Sequence, residues 1–127
     1  MRIALFEPDN PQNTGTIFRL AACLGHEAHI IEPAGFATSD RAFRRARLIL
    51  LTTRAHRSYL AHAFRRGDVL LFGRETSGVP EKVHAAADAR LVIPMREGLR
   101  SLNVAMAAAM AVGEAMRQTA APSRGES

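Results

Sequence analysis

Five segments hold most of the residues capable of chemistry: EPDNPQNTG (7–15), EPAGF (32–36), TTR (52–54), GRETSGVP (73–80) and PMREGLRSLN (94–103). They are rich in amides, hydroxyls, glycine and arginine. In GRETSGVP, Glu75 lies between Gly73 and Gly78, and tight glycine turns let backbone amides and carbonyls approach a flat ligand such as adenine; an ordinary turn uses the same residues. The segment lacks the Gly-Lys-Ser/Thr ending of a phosphate-binding loop, and no G-x-G-x-x-G follows the first apolar run. His26, His29, His56, His62 and His84 lack H-E-x-x-H spacing, and Cys23 is the only thiol, so no metal site is expected. Ser101 has neither a G-x-S-x-G elbow nor an evident His–Asp relay, which disfavours hydrolase chemistry. Either Ser101 or Asn103 also suits the cap of a final helix.

These segments need elements to hold them. Five short apolar runs read as buried strands: Ile3–Phe6, His29–Ile31, Leu48–Leu51, Val69–Phe72 and Leu91–Ile93. The clearest helices are Thr14–Leu24 and Leu102–Arg117. Strands alternating with helices imply an α/β fold, a mostly parallel sheet flanked by helices on both faces. Each polar segment begins where a strand ends, so in a parallel sheet the loops converge on one rim as a composite site. In the first helix, Ile17, Leu20, Ala21 and Leu24 form one stripe and Gly25 follows as a cap. Arg19 projects about 160–200° from that stripe at roughly 100° per residue, toward solvent or a ligand. The Ala- and Met-rich last helix permits close approach, so it is expected to pack on a second subunit as well as on its own sheet.

The 127-residue length predicts one domain, 1–118, with a disordered tail over 119–127. The net charge is +5 and 16 of 17 cationic residues are Arg, Lys82 being the exception. An anionic partner such as nucleic acid fits this balance, since guanidinium groups grip phosphate and stack on bases. A lone cysteine excludes an intrachain disulfide and suits a reducing compartment. The apolar stretch of MRIALFEPDN is too short for a signal peptide, and no run reaches membrane-spanning length. A soluble, intracellular protein is expected.

One junction is anomalous. A basic helix over Asp40–Ala46 runs almost directly into the strand at Leu48, where a helix-to-strand connection usually takes about 2–6 residues.

Taken in order, EPDNPQNTGTIFRLAACLG, IIEPAGF, RRA, LLTT, LLFGRETSGVP and VIPMREGLRSLNVAMAAAMAVGEAMRQ resemble the tRNA 2′-O-methyltransferases of the wobble nucleotide, a branch of the SPOUT superfamily. The resemblance covers nearly the whole chain except the tail. It implies a C-terminal deep trefoil knot, which connection rules alone would reject. It also implies S-adenosylmethionine bound in the knot, S-adenosylhomocysteine as product, and a homodimer in which the tRNA anticodon stem-loop site is shared between subunits. No metal or membrane is implied, and the compartment is the cytoplasm.

Carried over by residue, the resemblance gives Asn13, Arg19, Glu75, Ser101 and Asn103 to catalysis. It gives Leu51, Gly73, Gly78, Ile93, Met95, Ser101 and Leu102 to cofactor binding, with Arg41, Arg44 and Arg45 as tRNA-phosphate candidates or a solvated basic face. The implied reaction methylates the ribose 2′-hydroxyl of the wobble nucleotide (position 34, cytidine or modified uridine). A guanidinium resists deprotonation, so Arg19 is read as binding the neighbouring phosphate and steadying the alkoxide. Asn13, Ser101 and Asn103 orient ribose and cofactor, and Glu75 holds Arg19 or a backbone donor. Relatives carry about two dozen further residues, a strand and a helix, between Ala46 and Arg47, where this sequence has its anomalous junction. A non-catalytic RNA-binding module of the same fold and an rRNA 2′-O-methyltransferase are the alternative readings.

Overall fold

The structure is a computed structural model that describes residues 1–32, 46–74, 77–97 and 102–120. β1 (Arg2–Phe6), β2 (Glu27–Ile31), β3 (Leu48–Leu51), β4 (Val69–Phe72) and β5 (Ala89–Leu91) form one sheet in the order β2-β1-β4-β3-β5. Every neighbouring pair is parallel. The helices are α1 (Pro11–Leu24), α2 (Glu81–Ala86) and α3 (Val104–Thr119), with a 3-10 turn at Tyr59–Ala61.

Alternation along each strand sends successive side chains to opposite faces. Ile3, Leu5, Ile49, Leu51, Leu70, Phe72 and Leu91 join Ile17 and Ala21 of α1 and Ala105, Ala108, Ala111, Val112 and Ala115 of α3 in one core layer. Ala4, Phe6, Leu48, Leu50, Val69 and Leu71 form the other with Val79, Val83 and Ala87. Burial on both faces explains why LILL and VLLF are unbroken apolar runs. Each fully buried Leu, Ile, Val or Phe contributes about 1.5–3 kcal/mol. The alanines of α3 are small enough to let that helix lie close against the sheet and α1.

Helix α1 begins three residues before the expected Thr14. Asn10 Oδ1 accepts from the Asn13 N–H at 3.1 Å, and Pro11 takes the first turn, where no N–H is needed. Gly25 closes the helix, its N–H directed to the Ala21 and Ala22 carbonyls. Of the two candidate caps for α3, the structure uses Asn103, whose Oδ1 accepts from Ala105 N at 2.8 Å and Met106 N at 3.3 Å.

β5 ends at Leu91 rather than Ile93. Leu91 is the last partner of β3, opposite Leu51. Val92 then pairs with the 57–59 segment through Val92 N to Arg57 O at 2.8 Å and Tyr59 N to Val92 O at 2.9 Å. Pairing has left the sheet by Ile93. β2 starts earlier than expected, at Glu27, in register with Arg2. The expected basic helix lies outside the described residues except for Ala46, from which the chain passes through Arg47 directly into β3.

The amino-terminal rim is locked by charge. Asp68, 1% exposed, receives Arg47 Nε on Oδ1 at 2.9 Å and Nη2 on Oδ2 at 2.7 Å. The Arg65 N–H adds a third bond to Oδ2 at 2.9 Å. The hydrogen bond to Asp68 raises the Arg47 pKa further above its ordinary value. Beside this pair, Gln118 of α3 holds the 62–64 segment, accepting from Phe64 N at 2.8 Å and donating to His62 O at 2.9 Å.

Candidate active site

Because all the strands run the same way, their carboxyl ends share one rim, and the chain leaves it at Glu7, Thr52, Gly73 and Val92. A cavity of about 700 Å³ opens there. Its walls combine apolar side chains, including Leu50, Leu51, Phe72, Val79, Ile93 and Ala107, with the neutral polar groups of Thr52, Thr53, Ser77 and Asn103 and two arginines.

One wall is the turn from Gly73 to Gly78. Arg74 N donates to Gly78 O at 3.1 Å and Gly78 N to Arg74 O at 2.9 Å, closing the turn in both directions. A Cβ on Gly73 would lie 2.6 Å from the Gly78 carbonyl carbon, so only glycine fits there. Gly78 has φ +66, which L side chains rarely adopt.

Six of the residues singled out for cofactor binding line this cavity: Leu51, Gly73, Gly78, Ile93, Met95 and Leu102. Ser101 and Glu75 lie outside the described residues, as do Arg41, Arg44 and Arg45. Asn103 is on the cavity wall, and its Nδ2 donates to Asn13 Oδ1 at 3.2 Å. Asn13 itself borders an adjoining small cleft, which shares Gly73 and Val104 with the cavity. Arg19 is exposed on α1 and does not line the cavity of its own chain.

Three polar features went unread in the sequence. Arg54 and Arg74 line the cavity, each paired with a carboxylate: Arg54 Nη2 to Glu81 Oε2 at 2.7 Å, and Arg74 Nη2 to Glu7 Oε1. The Arg54 hydrogen bond holds the Glu81 carboxyl below its ordinary pKa. Glu7 has φ 43 immediately before Pro8, a left-handed conformation that costs a non-glycine residue about 1–3 kcal/mol. Its N–H bonds to Ile31 O at 2.8 Å and its side chain to Arg74, which together fix it. Both arginines belong to segments already marked at strand ends, TTR and GRETSGVP, but their partners are remote or unpatterned in sequence.

Among the described residues that line the cavity there is no His, Asp, Glu or Lys. The lining therefore binds and orients by apolar contact, neutral hydrogen bonds and two guanidinium groups.

A parallel α/β sheet with a cavity at its carboxyl rim is the arrangement in which open α/β domains bind small molecules. More narrowly, the chain belongs to the SpoU rRNA Methylase family, whose family model matches residues 42–113. A tRNA (cytidine(34)-2'-O)-methyltransferase of Beijerinckia indica subsp. indica is 52% identical over 147 aligned positions, covering 94% of this chain and 92% of the relative. The protein so named in Escherichia coli K12 is 37% identical, with 96% of each chain covered. A solved structure described as "Structural insights into the 2-OH methylation of C/U34 on tRNA" superposes with a TM-score of 0.83 at 34% identity, covering 92% of this chain and 89% of that one. The family and the α/β fold are those expected from the sequence. Since 94% of 127 residues is about 119, some 28 of the 147 aligned positions face no residue of this chain. That shortfall has the size of the segment expected between Ala46 and Arg47.

Proposed function

We propose that this chain is an S-adenosylmethionine-dependent tRNA 2′-O-methyltransferase, acting on the wobble nucleotide (position 34, cytidine or modified uridine) in the cytoplasm as a homodimer. The observation that carries the proposal is the convergence on one cavity of Leu51, at the end of β3, with Gly73, Gly78, Ile93, Met95 and Leu102 from the segments after β4 and β5. The cavity fits the cofactor. Its volume lies within the range of about 300–1,000 Å³ usual for small-molecule sites. The names of the two relatives and the description of the solved structure support the substrate.

When bound, S-adenosylmethionine supplies a methyl group on a sulfonium, activated without a metal. The chain then has to position a ribose hydroxyl, exclude water and stabilise developing negative charge. The apolar walls, Leu102 and the glycine turn would hold the adenosine, and Ser101 is assigned to the cofactor by the sequence resemblance. Asn103, fixed by its cap and by Asn13, orients the sugar through neutral hydrogen bonds. The guanidinium of Arg19 remains protonated; it grips the neighbouring phosphate and steadies the alkoxide, while the proton passes to phosphate or water. Glu75 holds Arg19 or a backbone donor in place.

Arg19 stands on the exposed side of α1 and does not line the cavity of its own chain, which supports a homodimer in which the second copy supplies it. The large apolar side chains left in solvent on α1 and α3 support that pairing: Phe18 36%, Leu24 36%, Met106 60% and Met110 42% exposed. The return of the chain from the edge strand β5 to α3, which packs on α1 and β4, supports the trefoil threading that the sequence resemblance implies. No helix among the described residues is long and apolar enough to cross a membrane.

The test is transfer of labelled methyl from S-adenosylmethionine to tRNA. Wild-type protein labels tRNA, and Arg19→Ala loses labelling while its affinity for S-adenosylhomocysteine is unchanged. Unchanged turnover in the variant would remove Arg19 from the mechanism. No heat of cofactor binding together with no competition by S-adenosylhomocysteine would favour a non-catalytic RNA binder instead.

A further inference from the structure

The described residues that line the cavity include two cations, Arg54 and Arg74, and no carboxylate. The two are committed differently. Arg74 is paired with Glu7, and the two together border a neighbouring cleft with Asp9 and Glu32, so its charge is neutralised on that side. Arg54 ends the Thr52–Thr53–Arg54 segment directly after β3, where its N–H bonds to Thr52 Oγ1 at 3.1 Å. Only Nη2 is engaged, by Glu81 Oε2 at 2.7 Å; among the described residues Nε and Nη1 make no hydrogen bond. The side chains of the pair are 54% and 73% exposed. An exposed pair of this kind directs a guanidinium without occupying the rest of its five-donor fork.

The cofactor proposed for this cavity has two unlike ends. Its adenosine is uncharged, with a flat adenine suited to the apolar walls, whereas its amino-acid tail is zwitterionic and carries a carboxylate. A carboxylate drawn from water into a partly apolar cavity is stabilised by a cation or several donors, and a guanidinium edge meets it with two parallel hydrogen bonds. On the reading that the cavity takes S-adenosylmethionine, we infer that Arg54 binds the carboxylate of the cofactor's amino-acid tail, and that Glu81 is the positioning residue that points the guanidinium there. The Arg54–Glu81 pair thus selects cofactors with an intact tail.

The experiment is calorimetric titration with two ligands, S-adenosylhomocysteine and 5′-methylthioadenosine, which keeps the adenosine and thioether but lacks the tail. Arg54→Ala weakens S-adenosylhomocysteine binding by roughly tenfold or more, the scale of a lost charge-assisted hydrogen bond, and leaves 5′-methylthioadenosine unchanged. Arg54→Lys restores part of the loss. Glu81→Gln gives a smaller loss, again confined to the ligand with the tail. A loss shared equally by both ligands, or no loss for either, would overturn the inference while leaving the cofactor site standing. Failure of the wild-type protein to bind either ligand would instead overturn the cofactor reading beneath it.

Discussion

Asn103 Nδ2 donates to Asn13 Oδ1 at 3.2 Å, joining the start of α3 to the first turn of α1 across 90 residues of sequence. The same side chain turns its Oδ1 to the N–H groups of Ala105 and Met106. Capping fixes the direction of the amide, and the fixed amide sets Asn13 beside the cavity.

Asn103→Asp separates these two duties. The carboxylate still accepts from Ala105 and Met106, and a negative charge suits a helix start, but the donor to Asn13 is gone. The expected result is near-wild-type stability in urea, with methyl transfer lowered by up to about a hundredfold through mispositioning. Asn103→Ala also loses the cap, about 1 kcal/mol of stability. Full activity in Asn103→Asp would show that the contact with Asn13 is structural only.

Gly73→Ala tests the turn that walls the cavity. The added Cβ would sit 2.6 Å from Gly78 backbone, so the turn has to move. Strain of about 1–3 kcal/mol falls on the loop rather than the core. S-adenosylhomocysteine affinity is expected to drop about tenfold or more, while circular dichroism remains that of the wild type. Retained affinity would mean that the ligand does not touch this turn.

Asp68→Ala probes the opposite rim. It leaves Arg47 without its carboxylate and removes an acceptor for Arg65 N–H. The expected cost is roughly 3 kcal/mol, the low end for a broken buried pair, because Arg47 keeps 27% of its side chain exposed. Cofactor affinity is expected to be unchanged in the folded fraction, which distinguishes a structural lock from a site residue.

His62 predicts an acid dependence. It is buried against Phe64, ring centroids 4.8 Å apart in an edge-on arrangement. Burial first, and then the nearby Arg47 charge, lowers its pKa from 6.5. The unfolded chain therefore binds the proton before the folded one does. Stability is full above the unfolded value and is lost as pH falls below about 6.5. His26 is lowered in the same direction, by burial and then by the amino-terminal charge. His62→Gln should make the decline in urea midpoint between about pH 7 and pH 5 shallower without abolishing it. An unaltered slope would exclude His62 as a contributor.

Much of the sheet was legible in the sequence for a physical reason. LILL and VLLF are apolar throughout because both faces are covered, and Gly25 marks the end of α1, whereas its start, capped by Asn10 with Pro11 in the first turn, falls three residues before the expected Thr14. Less was legible where local pattern is silent. α2 has six residues and one buried apolar side chain, too little for a helical period. The end of β5 depends on the 57–59 segment taking over Val92, a tertiary event. In the site, the loops could be marked because each follows a strand. The Arg54–Glu81 pair, the Glu7–Arg74 pair and the Asn13–Asn103 contact could not, since each exists only once the sheet order brings distant loops to one rim.

The most direct measurement is mass spectrometry of nuclease-digested tRNA after incubation with this protein and S-adenosylmethionine. A new methyl group on the ribose of the first anticodon nucleotide, dependent on Arg19, is the predicted result. Methyl on a base, on a nucleotide outside the anticodon loop, or on no nucleotide of tRNA would contradict it.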